Sequence, residues 1–358
     1  MKGARHSRNK AMKKMSVLII SEDKDYCSAV GKYFRNHYSE TVIIITCSSL
    51  NNISDYIRNN NITIILSEED FYQKVKEIVN ERCIVCKLVE NKTSSEEYLI
   101  LKYISASSLY NELLFLYSKL SSETGTSSIG VENLYTFISV NGCGATTLSV
   151  SFAKRLAKEG KKVLFLGLDG LSDYSAIFGS NSERGLSDII LALKSKTSNV
   201  SMTAKSVTCF DEVYFIDKCR CADDIYEIDS AETEQLLNTI CSSDRFDAVV
   251  MDISFAYTNI WNYVSKYSKC IFCITTNRTA SIAKTNNFIE TVKIRDFRNN
   301  TEAIQKVSVI VNRSTSIQPV AEINSEHIVY IQRYSSENYK GLTEKIAEDS
   351  VWNDFIKR

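Results

Sequence analysis

The residues of this chain best suited to chemistry lie in one short stretch and at two later acids. Tyr135-Thr-Phe-Ile-Ser-Val140 is a β-rich run, Asn141-Gly142-Cys143-Gly144 a turn, and Ala145-Thr146-Thr147 the start of a helical pattern. A strand, a glycine turn and a helix start aim backbone N–H groups and the positive end of a helix dipole at one point, which suits a phosphate chain. A standard phosphate-binding loop closes on Gly-Lys-Ser/Thr. Here Gly144 and Thr146 hold their places, but Ala145 stands at the lysine. Two more apolar runs end in carboxylates, Lys162 to Asp169 and Phe246 to Asp252. Ligands of a parallel sheet gather outside the carboxyl ends of its strands. The phosphate loop and the two acids are therefore expected at one crevice, with the composition a magnesium–nucleotide complex needs.

The elements that must position these groups form two series. From Met15 to about residue 120, β-rich runs at Val17–Ile20, Val42–Thr46, Ile62–Leu66, Cys83–Leu88 and Leu99–Ile104 alternate with helical stretches near Lys24–His37, Ile53–Asn59, Phe71–Val79 and Leu109–Lys119. Alternation of this length predicts a parallel sheet with helices on both faces. Residues 121–130 (SSETGTSSIG) carry almost no apolar content and read as a linker. A second series begins at Val131, with strands near Leu134–Val140, Lys162–Leu168, Glu212–Ile216, Ala248–Asp252, Cys270–Thr275, Val307–Asn312 and Ile328–Ile331. Its first helix buries Leu148, Phe152 and Leu156, with Gly160 at its end. The expected organisation is a basic tail over residues 1–14, a first α/β domain over 15–120, the linker, and a second α/β domain over 131–358. Both domains are doubly wound parallel sheets.

Composition narrows the function. The chain of 358 residues has 43 Lys+Arg against 43 Asp+Glu, a formal net charge of zero. A protein that coats nucleic acid carries a large positive excess, so stable nucleic-acid binding is not expected. No apolar run is long enough to span a bilayer, and Glu22, Asp23 and Asp25 interrupt any secretory pattern. Membrane contact is at most peripheral, and the expected location is the cytoplasm. The pairs Cys83/Cys86 and Cys270/Cys273 enclose β-branched or aromatic residues. They read as strand cysteines in a reducing compartment, not as zinc ligands.

Residues 131–358 resemble the ParA/MinD group of P-loop ATPases, whose deviant loop reads KGGxGKTT. Laid on Val140–Thr147, its glycines fall on Asn141, Gly142 and Gly144 and its threonines on Thr146 and Thr147. Val140 and Ala145 replace both lysines. The DxDP segment falls on Gly167-Leu-Asp169-Gly170, and a late Asn-Arg pair on Asn312-Arg313. The resemblance implies ATP and Mg²⁺ as ligands. By position, backbone N–H groups of Asn141, Gly142, Cys143, Gly144, Ala145, Thr146 and Thr147 cradle the phosphates. Thr146 binds the metal, and Asp252 holds it through water. Asp169 orients the attacking water, and Asn312 and Arg313 face the base.

Residues 15–120 look like a response-regulator receiver domain. Ser21-Glu22-Asp23 follows the first strand, Ser67 stands at the phosphoacceptor position, and Lys102 matches a late lysine. Glu68 and Glu69 follow Ser67, but a carboxylate shifted by one residue is expected to point elsewhere. A receiver-like domain joined to a degenerate MinD-like ATPase is the layout of the TadZ/CpaE proteins of Tad (Flp) pilus assembly. That layout implies a homodimeric localisation protein, at the cell pole or the inner face of the membrane, that partners the pilus machinery. Loss of both lysines costs transition-state stabilisation more than binding, so hydrolysis is expected to be weak or absent. Arg278 or Arg333 is a candidate replacement. The alternative is an active ParA/MinD-type switch that positions cargo on nucleoid or membrane. The C-terminal pattern of Leu342, Ile346, Val351, Trp352 and Phe355 is expected to dock on its own domain.

Overall fold

The apolar runs of the sequence become the strands of two separate sheets. A computed structural model of the chain describes residues 14–49, 53, 56–57, 60–79, 83–91, 98–120, 133–139, 142–168, 174–179, 184–195, 199–217, 219–241, 245–254, 259–315 and 322–356. Residues 1–13, most of the helical stretch expected over 53–59, the linker 121–130 and Pro319 lie outside the described residues. The chain divides into two compact units. One is Met1–Glu123 together with Thr197–Ser206; the other is Thr124–Lys196 together with Val207–Arg358.

The first unit holds β1 (Met15–Ile20), β2 (Val42–Cys47), β3 (Ile64–Glu68), β4 (Ile84–Val89) and β5 (Leu99–Leu101) in the order β2-β1-β3-β4-β5. All neighbours pair in parallel. Burial on both faces explains why β1 is a continuous apolar run and not an alternating one. Val17 and Ile19 pack with Phe34, Leu109 and Leu113 from helices Lys24–His37 and Ala106–Leu120. Leu18 and Ile20, pointing the other way, pack with Ile62, Ile65 and Val75.

Helix Val200–Ser206 also belongs to this unit, although the sequence reading places it in the second domain. Met202 enters the Val17/Ile19 core. The Thr203 hydroxyl donates to Ser118 Oγ at 3.0 Å, and the Asn199 amide N–H donates to the Ser118 carbonyl at 2.9 Å.

The second unit contributes β6 (Leu134–Ser139), β7 (Val163–Gly167), β8 (Thr208–Asp211), β9 (Val213–Ile216), β10 (Ala248–Ser254), β11 (Cys270–Thr276), β12 (Val307–Ser314) and β13 (Ile328–Gln332). Their order is β13-β12-β11-β6-β10-β7-β9-β8, parallel except for the β8–β9 pair. The crossover helix Ala145–Lys158 buries Leu148, Phe152 and Leu156. Gly160, at φ +82°, turns the chain toward β7.

The C-terminal residues complete this core. Trp352 is fully buried among Phe137, Phe152 and Phe272, and its indole N–H donates to the Ile346 carbonyl at 2.8 Å. Phe355 meets Phe272 edge-on. The stretch therefore docks on its own unit, and no helix among the described residues is long and apolar enough to cross a membrane. The paired cysteines sit in or beside strands as free thiols, with Cys86 and Cys273 fully buried.

Candidate functional site

Both sheets bring polar groups to the carboxyl ends of their strands. In the second unit the loop after β6 reaches the helix Ala145–Lys158 through Gly142 (φ +51°) and Gly144 (φ +92°), conformations that disfavour any side chain. A Cβ on Gly144 would also fall 2.7 Å from Asn312 Nδ2. That close approach has a purpose: Asn312, buried at the end of β12, donates its amide N–H to the Cys143 carbonyl at 2.8 Å. Its Oδ1 accepts from the Arg313 backbone N–H at 2.8 Å. One end of the Asn312 amide thus braces the loop, and the other holds the Arg313 backbone. Arg313 itself adopts φ +57°, a strained region for a non-glycine residue.

On the other flank of β6, the Thr146 hydroxyl donates to Asp252 Oδ2 at 2.6 Å. Asp252 is buried on β10, level with Gly167 of β7 and Phe137 of β6. Its carbonyl accepts from the Leu168 N–H at 2.8 Å. A hydroxyl and a carboxylate side by side at a helix N-terminus are hard oxygen donors of the kind magnesium takes. The residues present therefore fit a metal–phosphate ligand.

The predicted residues Gly142, Cys143, Gly144, Ala145, Thr146, Thr147, Asp252, Asn312 and Arg313 all stand at this edge of the sheet. Asn141 and Asp169 lie outside the described residues. One group that the sequence reading missed, Tyr339, is present as well, together with the two candidate replacements for the lysines. Tyr339 opens the helix Tyr339–Ala347, which packs against the helix Ala145–Lys158, and stands near Thr147 and Asp252; desolvation raises its phenol above the usual range. Arg278 and Arg333 line a cavity of about 260 Å³ with Gly142, Cys143, Asn277 and Arg313. The usable signal was topological: segments that directly follow parallel strands emerge at the same edge. A larger cavity of about 940 Å³, walled by Trp261, Arg295 and Lys306, lies where helix Asn259–Tyr267 ends and β12 begins. That is the amino end of the strands, away from the loop.

No protein-family model matches the chain, and no curated protein is similar to it. Solved structures similar to it include a ParA family ATPase from Chlorobium tepidum, at 15% identity over 64% of this chain and 94% of that one, with a TM-score of 0.47. The MinC:MinD cell division complex of Aquifex aeolicus matches at 18% identity over 60% and 86%, with a TM-score of 0.44. The septum site-determining protein MinD of Pyrococcus horikoshii, complexed with Mg-ADP, matches at 14% over 63% and 93%, with a TM-score of 0.45.

In the first unit the structure corrects one expectation. Ser67 is fully buried, whereas Glu68 turns back to the acids after β1. Its carboxylate accepts from Ser21 Oγ at 2.7 Å and from the Glu22 N–H at 3.0 Å, and it pairs with Lys102 Nζ at 2.7 Å. Asp23 meets the same ammonium at 3.1 Å. Strict alternation fails here because Glu68 is the last residue of β3 and the cap of helix Glu69–Ile78. Beyond the pleat, its longer side chain reaches back to the crevice.

Burial opposes charging of Lys102, but its hydrogen bonds to Glu68, Asp23 and Tyr103 outweigh it and hold the ammonium well above its usual range. The Tyr26 N–H and then Lys102 depress Asp23. Burial pushes Glu68 up, and Lys102, Ser21 and the Glu22 N–H pull it down further. A depressed carboxylate stabilises the fold above its unfolded pKa, 3.8 for Asp and 4.5 for Glu, and that contribution is lost as pH falls through the folded value. Lys102→Met strands Glu68 beside Asp23 and is expected to destabilise the first unit by about 1–2 kcal/mol at neutral pH. The deficit shrinks toward pH 3 as both acids protonate. Hydrogen exchange of the β1 and β3 amides checks this, and a deficit independent of pH rules the account out.

Proposed function

We propose that the second unit binds ATP with Mg²⁺ and that the chain is a nucleotide-dependent, homodimeric localisation or scaffold protein of Tad (Flp) pilus assembly. The observation that carries the nucleotide reading is the 2.6 Å contact between Thr146 and Asp252 at the foot of a positive-φ glycine loop. Backbone N–H groups from Asn141 to Thr147 cradle the phosphates, Thr146 ligates the metal, and Asp252 holds it through water. Asn312 and Arg313 stand on the base side, and Asp169 orients water. The metal supplies charge neutralisation at the phosphates.

Val140 and Ala145 remove two cations from the phosphate site. Each charged hydrogen bond lost costs about 1.5–3 kcal/mol, and the transition state, which carries the developing charge, loses most. Weak or absent hydrolysis follows. The pilus assignment is supported by the order of the units, a receiver-like first sheet before a degenerate nucleotide-binding second one.

The test is filter binding with γ-labelled ATP and Mg²⁺, following bound label and released phosphate together. Label retained only with Mg²⁺ and little phosphate released is the expected result. No retained label removes the nucleotide reading, and steady release replaces the scaffold with a cycling switch. Sedimentation with and without ATP then tests whether the nucleotide stabilises a dimer.

A further inference from the structure

The cavity beside the glycine loop is electrically unusual. Its lining includes Arg278, Arg313 and Arg333 but no acid. Among the described residues, none of the three guanidinium groups has a carboxylate partner. All three are solvent-exposed at the cavity, so they are open to a mobile anion, and an unpaired cluster of one sign attracts one.

The local backbone adds to the mismatch. Arg278 is the N-cap of the helix Thr279–Asn299, and no acid occupies that helix's first turn. A cation at a helix N-terminus has the wrong sign for the dipole, whereas an anion there is favoured. Arg313 is held at φ +57°, a cost that places its side chain at this point and 3.7 Å from where a Gly144 Cβ would stand.

Strand order gives the cavity a direction. β11, β12 and β13 lie in sequence on one side of β6, and β10, with Asp252, lies on the other. Arg278, Arg313 and Arg333 follow or close those three strands. The carboxylate half of the site and the guanidinium half therefore flank the glycine loop from opposite sides.

We propose that Arg278 and Arg333 form a guanidinium pair that grips the phosphate chain of the nucleotide from the flank opposite Thr146 and Asp252, with Arg313 beside them on the base side of the same cavity. It takes over the charge neutralisation that Val140 and Ala145 do not supply. The inference rests on the nucleotide reading above for its ligand, but the pocket is a polyphosphate site in its own right. Arginine suits this role because its planar fork meets phosphate oxygens two at a time, and it does so from a distance that a short loop lysine does not cover.

The experiment is isothermal titration of the full chain with Mg-ATP and, separately, with inorganic tripolyphosphate. The variants are Arg278→Ala/Arg333→Ala, Arg278→Lys/Arg333→Lys, and Arg298→Ala at the far end of the same helix. The alanine pair is expected to weaken both ligands by about ten- to a hundred-fold. The lysine pair should keep most of the affinity, and Arg298→Ala should match the parent. Removal of uncompensated like charges should leave the unfolding temperature unchanged or higher, which separates lost binding from lost fold. If the alanine pair binds both ligands as the parent does, the pocket is refuted while the nucleotide reading stands. If the parent binds tripolyphosphate but not ATP, and the alanine pair loses it, the pocket stands and the nucleotide reading falls.

Discussion

Ala145→Lys is expected to tighten Mg-ATP binding by about ten- to a hundred-fold, the value of one restored charge-assisted hydrogen bond to phosphate. Ala145 is the first residue of the helix that follows the glycine loop. Side chains of a helix lean toward its N-terminus, so a lysine there is directed back over the loop. The same substitution should slightly lower the thermal midpoint without nucleotide, because a cation at a helix N-terminus opposes the dipole by about 0.3–1 kcal/mol. Tighter binding with a weaker empty fold is a paired signature that a general change in stability does not produce. Calorimetry with and without Mg-ATP reads both halves, and unchanged affinity means that the loop is aligned wrongly with the phosphate-binding pattern.

Trp352→Ala carries the largest expected effect on stability, about 3–5 kcal/mol. Trp352 fills the space between Phe137, Phe152 and Phe272, and its N–H closes the end of the helix Tyr339–Ala347 on the Ile346 carbonyl. That helix packs along the helix Ala145–Lys158, which opens at the glycine loop. Loss of the indole should therefore loosen the binding edge along with the core. Urea unfolding followed by Trp261, the remaining tryptophan and itself buried, gives the first effect. A midpoint equal to the parent's excludes a core role for the C-terminal stretch.

Much of the architecture was legible because parallel strands, buried on both faces, must be apolar throughout. Val17–Ile20, Ala248–Asp252 and Cys270–Thr275 could hardly be anything else. β8 escaped notice for the opposite reason: Thr208–Asp211 is a short, antiparallel edge strand with no fully buried residue and therefore no apolar run. Helix Val200–Ser206 carries only small and polar residues besides Val200 and Met202, so its sequence does not say which core it joins.

The site was legible in part. The glycine loop, Thr146 and Asp252 form a contiguous or end-of-strand pattern. The arginines are separated by 35 and 20 positions along the chain, and only the parallel sheet brings residues 278, 313 and 333 to one edge. Glu68 was misjudged because alternation was applied one residue beyond the point where the strand ends.

The first unit is not contiguous in sequence, and this bears on how such a chain is inherited. Its ordered core closes only when residues 197–206, delivered from within the second series, have been made. During synthesis the first sheet emerges with the Met202 position still unfilled, and it stays so until some eighty further residues have left the ribosome. Recombination at the polar stretch 121–130, the natural-looking seam, would hand a new partner an incomplete core. The two halves are thus tied as a hereditary pair, because the small helix that completes the first is carried within the second.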